Sequence, residues 1–287
     1  MPGTRGPVEL SGDDVRGITQ SILLLVGTAD KITLETAHNP PPVGSGAHSL
    51  YSGPEAGYAI DGFLTMQYAN MSAMDHLRGF VALTRAPTVR STSLATITRG
   101  ALESLARTWH LLARADDSDY LHRVISLLRS DLRHSEMLGE TISTRNGVPV
   151  DPAERRTFYL RELQRLRLSG PAKVDLAQMV AVMLDSEMGQ GDGRMRYSAL
   201  SSIAHAHRIG INTFITTSSD GEVSGLAAPR PVVMNMVGEL TAATYGTMRD
   251  FAAFYGNQTR HVELVETAMQ RCLRILMPIM DDIFVES

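Results

Sequence analysis

Cysteine is almost absent. Cys272 stands alone in a chain of 287 residues, so no disulfide can form within it. Its surroundings (Met269, Leu273, Ile275, Leu276) are apolar and contain nothing that would lower a thiol pKa, so it reads as a core residue. Long apolar runs are missing too. A membrane span needs about 18 residues, whereas the run at 22–26 is short and follows Asp13 and Asp14, a poor fit to a secretory signal. The sequence therefore predicts a cytoplasmic protein with no membrane contact. Lysine is nearly missing: Lys31 and Lys173 are two of 27 basic residues, the others being arginine. Any anion bound here would be held by planar guanidinium forks. There is no phosphate-cradling loop, no dinucleotide fingerprint and no serine-hydrolase elbow. The glycine-rich stretch 189–193 lacks both the following Lys-Ser/Thr and the preceding strand. No cofactor is implied. A net charge of −4 and a pI near 6.1 argue against nucleic acid as a partner, which would need a concentrated basic face.

What is present is helical periodicity. Hydrophobic residues make up 43% and charged residues 20%, with 15 methionines, a composition suited to a globular helical core. Strand signals are weak apart from one Asp220-Gly221 hairpin candidate. The expected fold is all-α: one helical bundle of eight or nine helices spanning 1–287 as a single domain. Residues 39–57, rich in Pro, Gly and Ser, are expected as a flexible loop that could act as a lid. A small β-hairpin insertion is expected within 213–230. Ser11/Asp13, Asp116 and Asp151-Pro152 are helix-start signals. Ser91 or Ser93 would cap the helix after the Pro87 break, Asn146-Gly147 reads as a turn, and 189–193 reads as a hinge.

Two stretches carry the functional signal. Read as helices, one places Arg99, Glu103, Arg107 and His110 within roughly 80° of arc, and the other does the same for Tyr197, Ser201, His205 and Arg208. Both helices are otherwise apolar or small, as buried helices are. Facing each other, the two stripes would form a polar pocket. In that reading Glu103 fixes the guanidiniums of Arg99 and Arg107 as an anion clamp, and His110 and Arg208 assist in binding. His205 transfers protons, oriented by Tyr197 or Ser201, and His207 points away. The competing explanations are ordinary. Glu and Arg four residues apart pair along any solvated helix face, and a buried histidine can simply be a satisfied core residue.

Metal chemistry has little support. A di-iron or di-manganese bundle needs two Glu-x-x-His pairs and two further glutamates, and only Glu35–His38 has that spacing. The acidic run at 116–119 superficially matches an aspartate-rich magnesium motif, but its position between helices suits N-capping better.

The segments TRGALESLARTWHLL and RYSALSSIAHAH, followed by a short hairpin, resemble a group of all-helical actinobacterial proteins of unassigned activity, itself loosely similar to HEPN-like helical proteins. The arginine-rich usage fits a GC-rich genome of that kind. The resemblance covers about residues 90–230 and implies an all-helical fold with the two stripes adjacent. HEPN ribonucleases carry Arg, four to six residues, then His. Arg129 to His134 fits that spacing, but His205 has no such arginine before it. Three readings follow from the sequence. The first is a small-molecule enzyme of specialised bacterial metabolism, using non-redox acid–base chemistry (elimination, cyclisation, isomerisation or hydrolysis) on a substrate with an anionic group. The second is a HEPN-like ribonuclease or toxin. The third is a non-catalytic helical module acting as a homodimer or with a partner protein.

Overall fold

The computed structural model describes residues 9–86, 92–113, 115–143, 147–189, 191–218, 220–256 and 258–285. Among them the chain runs α1 (Gly12–His38), α2 (Gly46–Ser52), α3 (Ala56–Arg85), α4 (Thr92–Leu112), α5 (Asp117–Leu138), β1 (Ile142–Ser143), β2 (Pro149–Val150) and α6 (Pro152–Arg165). It continues through α7 (Leu176–Met188), α8 (Gly193–Ala204), α9 (Arg208–Asn212), β3 (Ile215–Thr217), β4 (Val223–Leu226), α10 (Arg230–Tyr255) and α11 (Gln258–Val285). Each strand pair forms one antiparallel ribbon, and β3–β4 turns at Asp220-Gly221.

The all-α class is as expected, but eleven helices replace eight or nine and two ribbons replace one. The main correction lies in the segment expected as a flexible loop. Residues Gly46–Ser52 of that segment form α2, with Ala47 and Leu50 buried. Phe254 lies so close to Gly46 that a Cβ there would meet its ring carbon at 2.6 Å, and Tyr51 sits edge-on to Tyr255 at 6.1 Å. Composition pointed to a loop, and tertiary packing overrides it. Pro87, Ser91, Asn146 and the Gln190 of the expected hinge lie outside the described residues, and Ser93 falls inside α4.

The helix starts follow local chemistry. Ser11 accepts from the Asp14 N–H while Asp14 accepts from the Ser11 N–H, a complete capping box. Asp116 caps α5 through the Asp119 N–H. Asp151 caps α6 through two N–H groups, with Pro152 in the first turn.

Helix α4 is the axis of the assembly. It packs against α3, α10, α8, α7 and α5, burying Leu94, Leu102, Leu105, Trp109 and Leu112 among others. Helix α1 lies across α3 and α11, and α10 packs on α4 and α11. An aromatic cluster joins α3, α5 and α10. Phe63 stacks on Phe251 at 6.2 Å, Tyr120 lies 5.3 Å from Phe254, and the Tyr120 and Tyr255 hydroxyls meet at 2.5 Å, one donating to the other and the remaining proton going to Ala59 O, 3.3 Å from both. Gly62 permits this, because a Cβ there would collide with the Tyr120 hydroxyl. Among the described residues no helix is long and apolar enough to cross a membrane.

One ion pair ties three helices at the end of the bundle where α1 and α10 begin. Arg230 donates Nε and Nη2 to the two Asp14 oxygens at 2.9 and 3.0 Å, and Nη2 also reaches Ile279 O at 3.1 Å. Both side chains are nearly enclosed, 11% and 4% exposed. Burial opposes the Asp14 charge, but the Arg230 guanidinium and the Ser11 N–H outweigh it and hold the pKa below the ordinary value. Arg230→Ala strands a buried carboxylate and should lower the unfolding free energy by about 3–5 kcal/mol. In wild type the Asp14 contribution is present above the ordinary aspartate pKa and disappears as pH falls through the lowered value. Urea denaturation of wild type and variant at pH 7 checks this. A loss below about 1 kcal/mol would mean that water solvates the pair.

Candidate functional site

The two sequence stripes do meet, but only in part. Arg99 Nε donates to Glu103 Oε1 at 2.7 Å, and the Tyr197 hydroxyl donates to the same oxygen at 2.6 Å. The Arg99 guanidinium also lies 5.6 Å over the Tyr197 ring. Arg99 Nη1 approaches His205 Nε2 at 2.7 Å. A guanidinium only donates, so Nε2 is the acceptor in this contact. Burial works against the Arg99 charge, but Glu103 and Tyr197 more than compensate and its pKa is raised. Burial and then Glu103 raise that of Tyr197, which stays a protonated donor.

Four corrections follow. Helix α8 ends at Ala204, so Tyr197 to Arg208 is not one helix: His205 is the C-cap residue and Arg208 opens α9. His205 is therefore exposed, not enclosed. Glu103 holds Arg99 and Tyr197 rather than two guanidiniums, and Arg107 pairs with Asp131 of α5 instead. Tyr197 does not orient His205, and Ser201 contributes to it only a carbonyl, which accepts the His205 N–H at 3.0 Å. His207 lies beside His205, ring centroids 6.0 Å apart, and does not point away from it. Arg208 is exposed and makes no ion pair among the described residues. The side chain of His134, from the HEPN-type spacing, is not among those described.

The break at the end of α8 has a local cause. Ala206 sits at φ 56°, in the left-handed region, and the Ala206 and His207 N–H groups bond back to Ile203 O and Ser202 O. Gly210 lets α9 fold against the end of α8, since a Cβ there would meet Ile203 N and Ser202 C at 2.7 Å.

His110 leads to a different place. It lines a cavity of about 930 Å³ bounded by the ends of α4 and α7, by α5 and α10, and by Gly46 of α2. Trp109, Leu112, Val182 and Phe254 give apolar wall. Arg123, Asp185, Glu187, Arg249 and Asp250 bring charge. Arg123 Nη1 donates to His110 O and Ala113 O at 2.8 and 2.7 Å, satisfying carbonyls that the end of α4 leaves open. Glu187 accepts from Trp109 Nε1 at 3.0 Å, and its carboxylate occupies the space a Cβ at Gly246 would need. Asp185 is held by the Gly193 N–H at 2.7 Å. Arg249 pairs with its neighbour Asp250 at 3.2 Å and lies 5.4 Å over Tyr245.

Burial, then the charges of Arg123 and His122, push the His110 pKa down to about 4. Burial raises that of Asp250 against the pull of Arg249. The chamber is thus lined by a neutral imidazole and by a carboxylate made more basic than usual, two groups suited to moving a proton. Of the sequence candidates it contains only His110. Glu187, Arg249 and Asp250 were missed, although each is a charge on an otherwise apolar helix, the same signal that singled out α4. Among the described residues no group of three or more His, Cys, Asp or Glu is arranged to hold a metal ion. No family model matches this chain, and no curated protein or solved structure does either.

Two outcomes test this geometry. The unfolded chain takes up a proton at His110 near pH 6.5, whereas the folded one waits until about 4. Wild type should therefore lose stability relative to His110→Gln as pH falls through that window, by up to roughly 3 kcal/mol. Urea unfolding at pH 7, 5.5 and 4 reads the difference, and parallel curves would show that His110 is hydrated. Ala206→Gly should raise stability by about 1 kcal/mol, because glycine takes the left-handed conformation without strain. A thermal midpoint that falls instead would place the end of α8 elsewhere.

Proposed function

We propose that this protein is a cytoplasmic small-molecule enzyme using non-redox acid–base chemistry, with the cavity at the end of α4 as its substrate chamber. One observation carries the reading: a chamber of about 930 Å³ whose walls are mixed apolar and charged, with His110 and Asp250 both lining it. That volume lies in the range of about 300–1,000 Å³ typical of small-molecule sites. Asp250 takes or returns the proton. His110, kept neutral, donates a hydrogen bond to the oxygen where negative charge develops. An anionic group on the substrate would lie near the guanidiniums of Arg249 and Arg123, in place of the Arg99–Arg107 clamp, because Arg249 and Arg123 line the chamber and Arg99 and Arg107 do not. Elimination, cyclisation, isomerisation and hydrolysis all suit this set of groups. His205 becomes a surface residue that helps hold Arg99.

The test is to incubate the protein with a small-molecule extract of bacterial cells and follow consumed compounds by mass spectrometry. Wild type and His205→Ala should consume the same compound at similar rates. Asp250→Asn and His110→Gln should each slow it by about 10²–10⁴, the usual contribution of a positioned proton-transfer group. Consumption lost in His205→Ala but kept in folded Asp250→Asn would return the site to the Arg99–His205 cluster.

A further inference from the structure

A second cleft, independent of that chamber, lies between α8 and α10, which both pack on α4 and α7. Its volume is about 380 Å³. Leu200, Ile203, Val232 and Met236 form its apolar walls, with Met195 and Ala199 exposed at its edge. At its base is Glu239, whose side chain is 6% exposed. Arg196 Nη1 reaches Glu239 Oε1 at 3.3 Å while Arg196 Nε is held by Asp192 at 2.8 Å. Glu239 Oε2 is buried with no hydrogen-bond partner. A carboxylate oxygen left without a donor in an apolar wall is costly, and native structures retain few such groups.

Both charged neighbours on α8 are already engaged, and the three ionisable groups of the cleft, Asp192, Arg196 and Glu239, sum to one negative charge when all are ionised. The missing partner is therefore an N–H donor, best a cation. We propose that this cleft is a binding site for a small amphiphilic amine, whose ammonium donates to Glu239 Oε2 and whose hydrocarbon body lies against Leu200, Ile203, Val232 and Met236. Burial pushes the Glu239 pKa up to about 7, with Arg196 opposing. An arriving ammonium would favour the carboxylate and release part of a proton at neutral pH.

Isothermal titration with n-hexylamine at pH 7, against hexan-1-ol as its uncharged counterpart, tests the site. One hexylamine should bind per chain, at least tenfold tighter than hexanol. In buffers of different ionisation enthalpy the heats should report proton release. Glu239→Gln, which keeps the shape, should remove the preference for the amine and the proton release together. Ala199→Trp, at an exposed helix position, should block the cleft and lower hexylamine affinity at least tenfold while leaving the fold intact by circular dichroism. Equal affinity for amine and alcohol, undiminished hexylamine binding by either folded variant, or no binding by wild type would overturn the proposal. None of these variants touches the chamber of His110 and Asp250, so the two sites stand or fall separately.

Discussion

Helix α4 is enclosed by five other helices, yet it carries two arginines, a glutamate, a tryptophan and a histidine. The fold depends on matching these groups, because each would be costly if buried alone. The match fixes where the neighbours must lie. Tyr197 brings α8 to Glu103, Asp131 brings α5 to Arg107, and Glu187 brings α7 to the indole of Trp109. Thr108 donates to Asn70 of α3 at 2.9 Å, and Arg123 closes the last turn. Polar groups thus set the register of helices whose apolar faces alone would tolerate sliding. His110 is the exception. Among the described residues it pairs with no charged group, and it lines the candidate chamber instead.

Much of this was legible in the sequence, and the rest had identifiable reasons not to be. The polar stripe of α4 is a matter of spacing along one helix, so periodicity found it. Caps at Ser11, Asp116 and Asp151 are local chemistry and were equally readable. Spacing cannot say what lies across from a stripe. Arg107 looked like the partner of Glu103, four residues away, but its carboxylate comes from α5, 24 residues on. The end of α8 was hidden because no Gly or Pro marks it: the left-handed residue is Ala206, stabilised by the fit of Gly210 against the preceding turn. Likewise α2 is short and flanked by prolines, and it is ordered by Phe254 and Tyr255, some two hundred residues away.

The candidate chamber exposes a bias in how such signals are weighed. Sequence patterns with several polar residues at helical spacing attract notice, whereas a single acid in an apolar helix does not. Yet Glu239 and Asp250 each lie on α10 among Met, Ala, Thr and Phe, and burial raises the pKa of both. Glu239 has no second charge three or four residues away, so unlike a Glu–Arg ladder it cannot be stabilised by its own helix face, whereas Asp250 has only its neighbour Arg249. Such an isolated charge must find a partner elsewhere, titrate, or wait for a ligand.

These two acids also explain how one helix serves two clefts. Val232, Asn235, Met236 and Glu239 line one, and Asp250 and Ala253 line the other. At about 100° per residue all of them fall on a single face of α10. That face would form one continuous groove if nothing crossed it. Helix α7 does, at Gly246, where the Glu187 carboxylate fills the position of a missing side chain, and beside it Thr247 donates to Met183 at 3.7 Å. Any larger residue at 246 would have to displace the Glu187 side chain that fills this space. Eleven residues of helix put Glu239 and Asp250 about 16 Å apart along the axis of α10. Each acid has its own arginine, Arg196 and Arg249 respectively. The two clefts thus each have their own ion pair, and the Glu187 side chain of α7 lies against α10 between them, at Gly246.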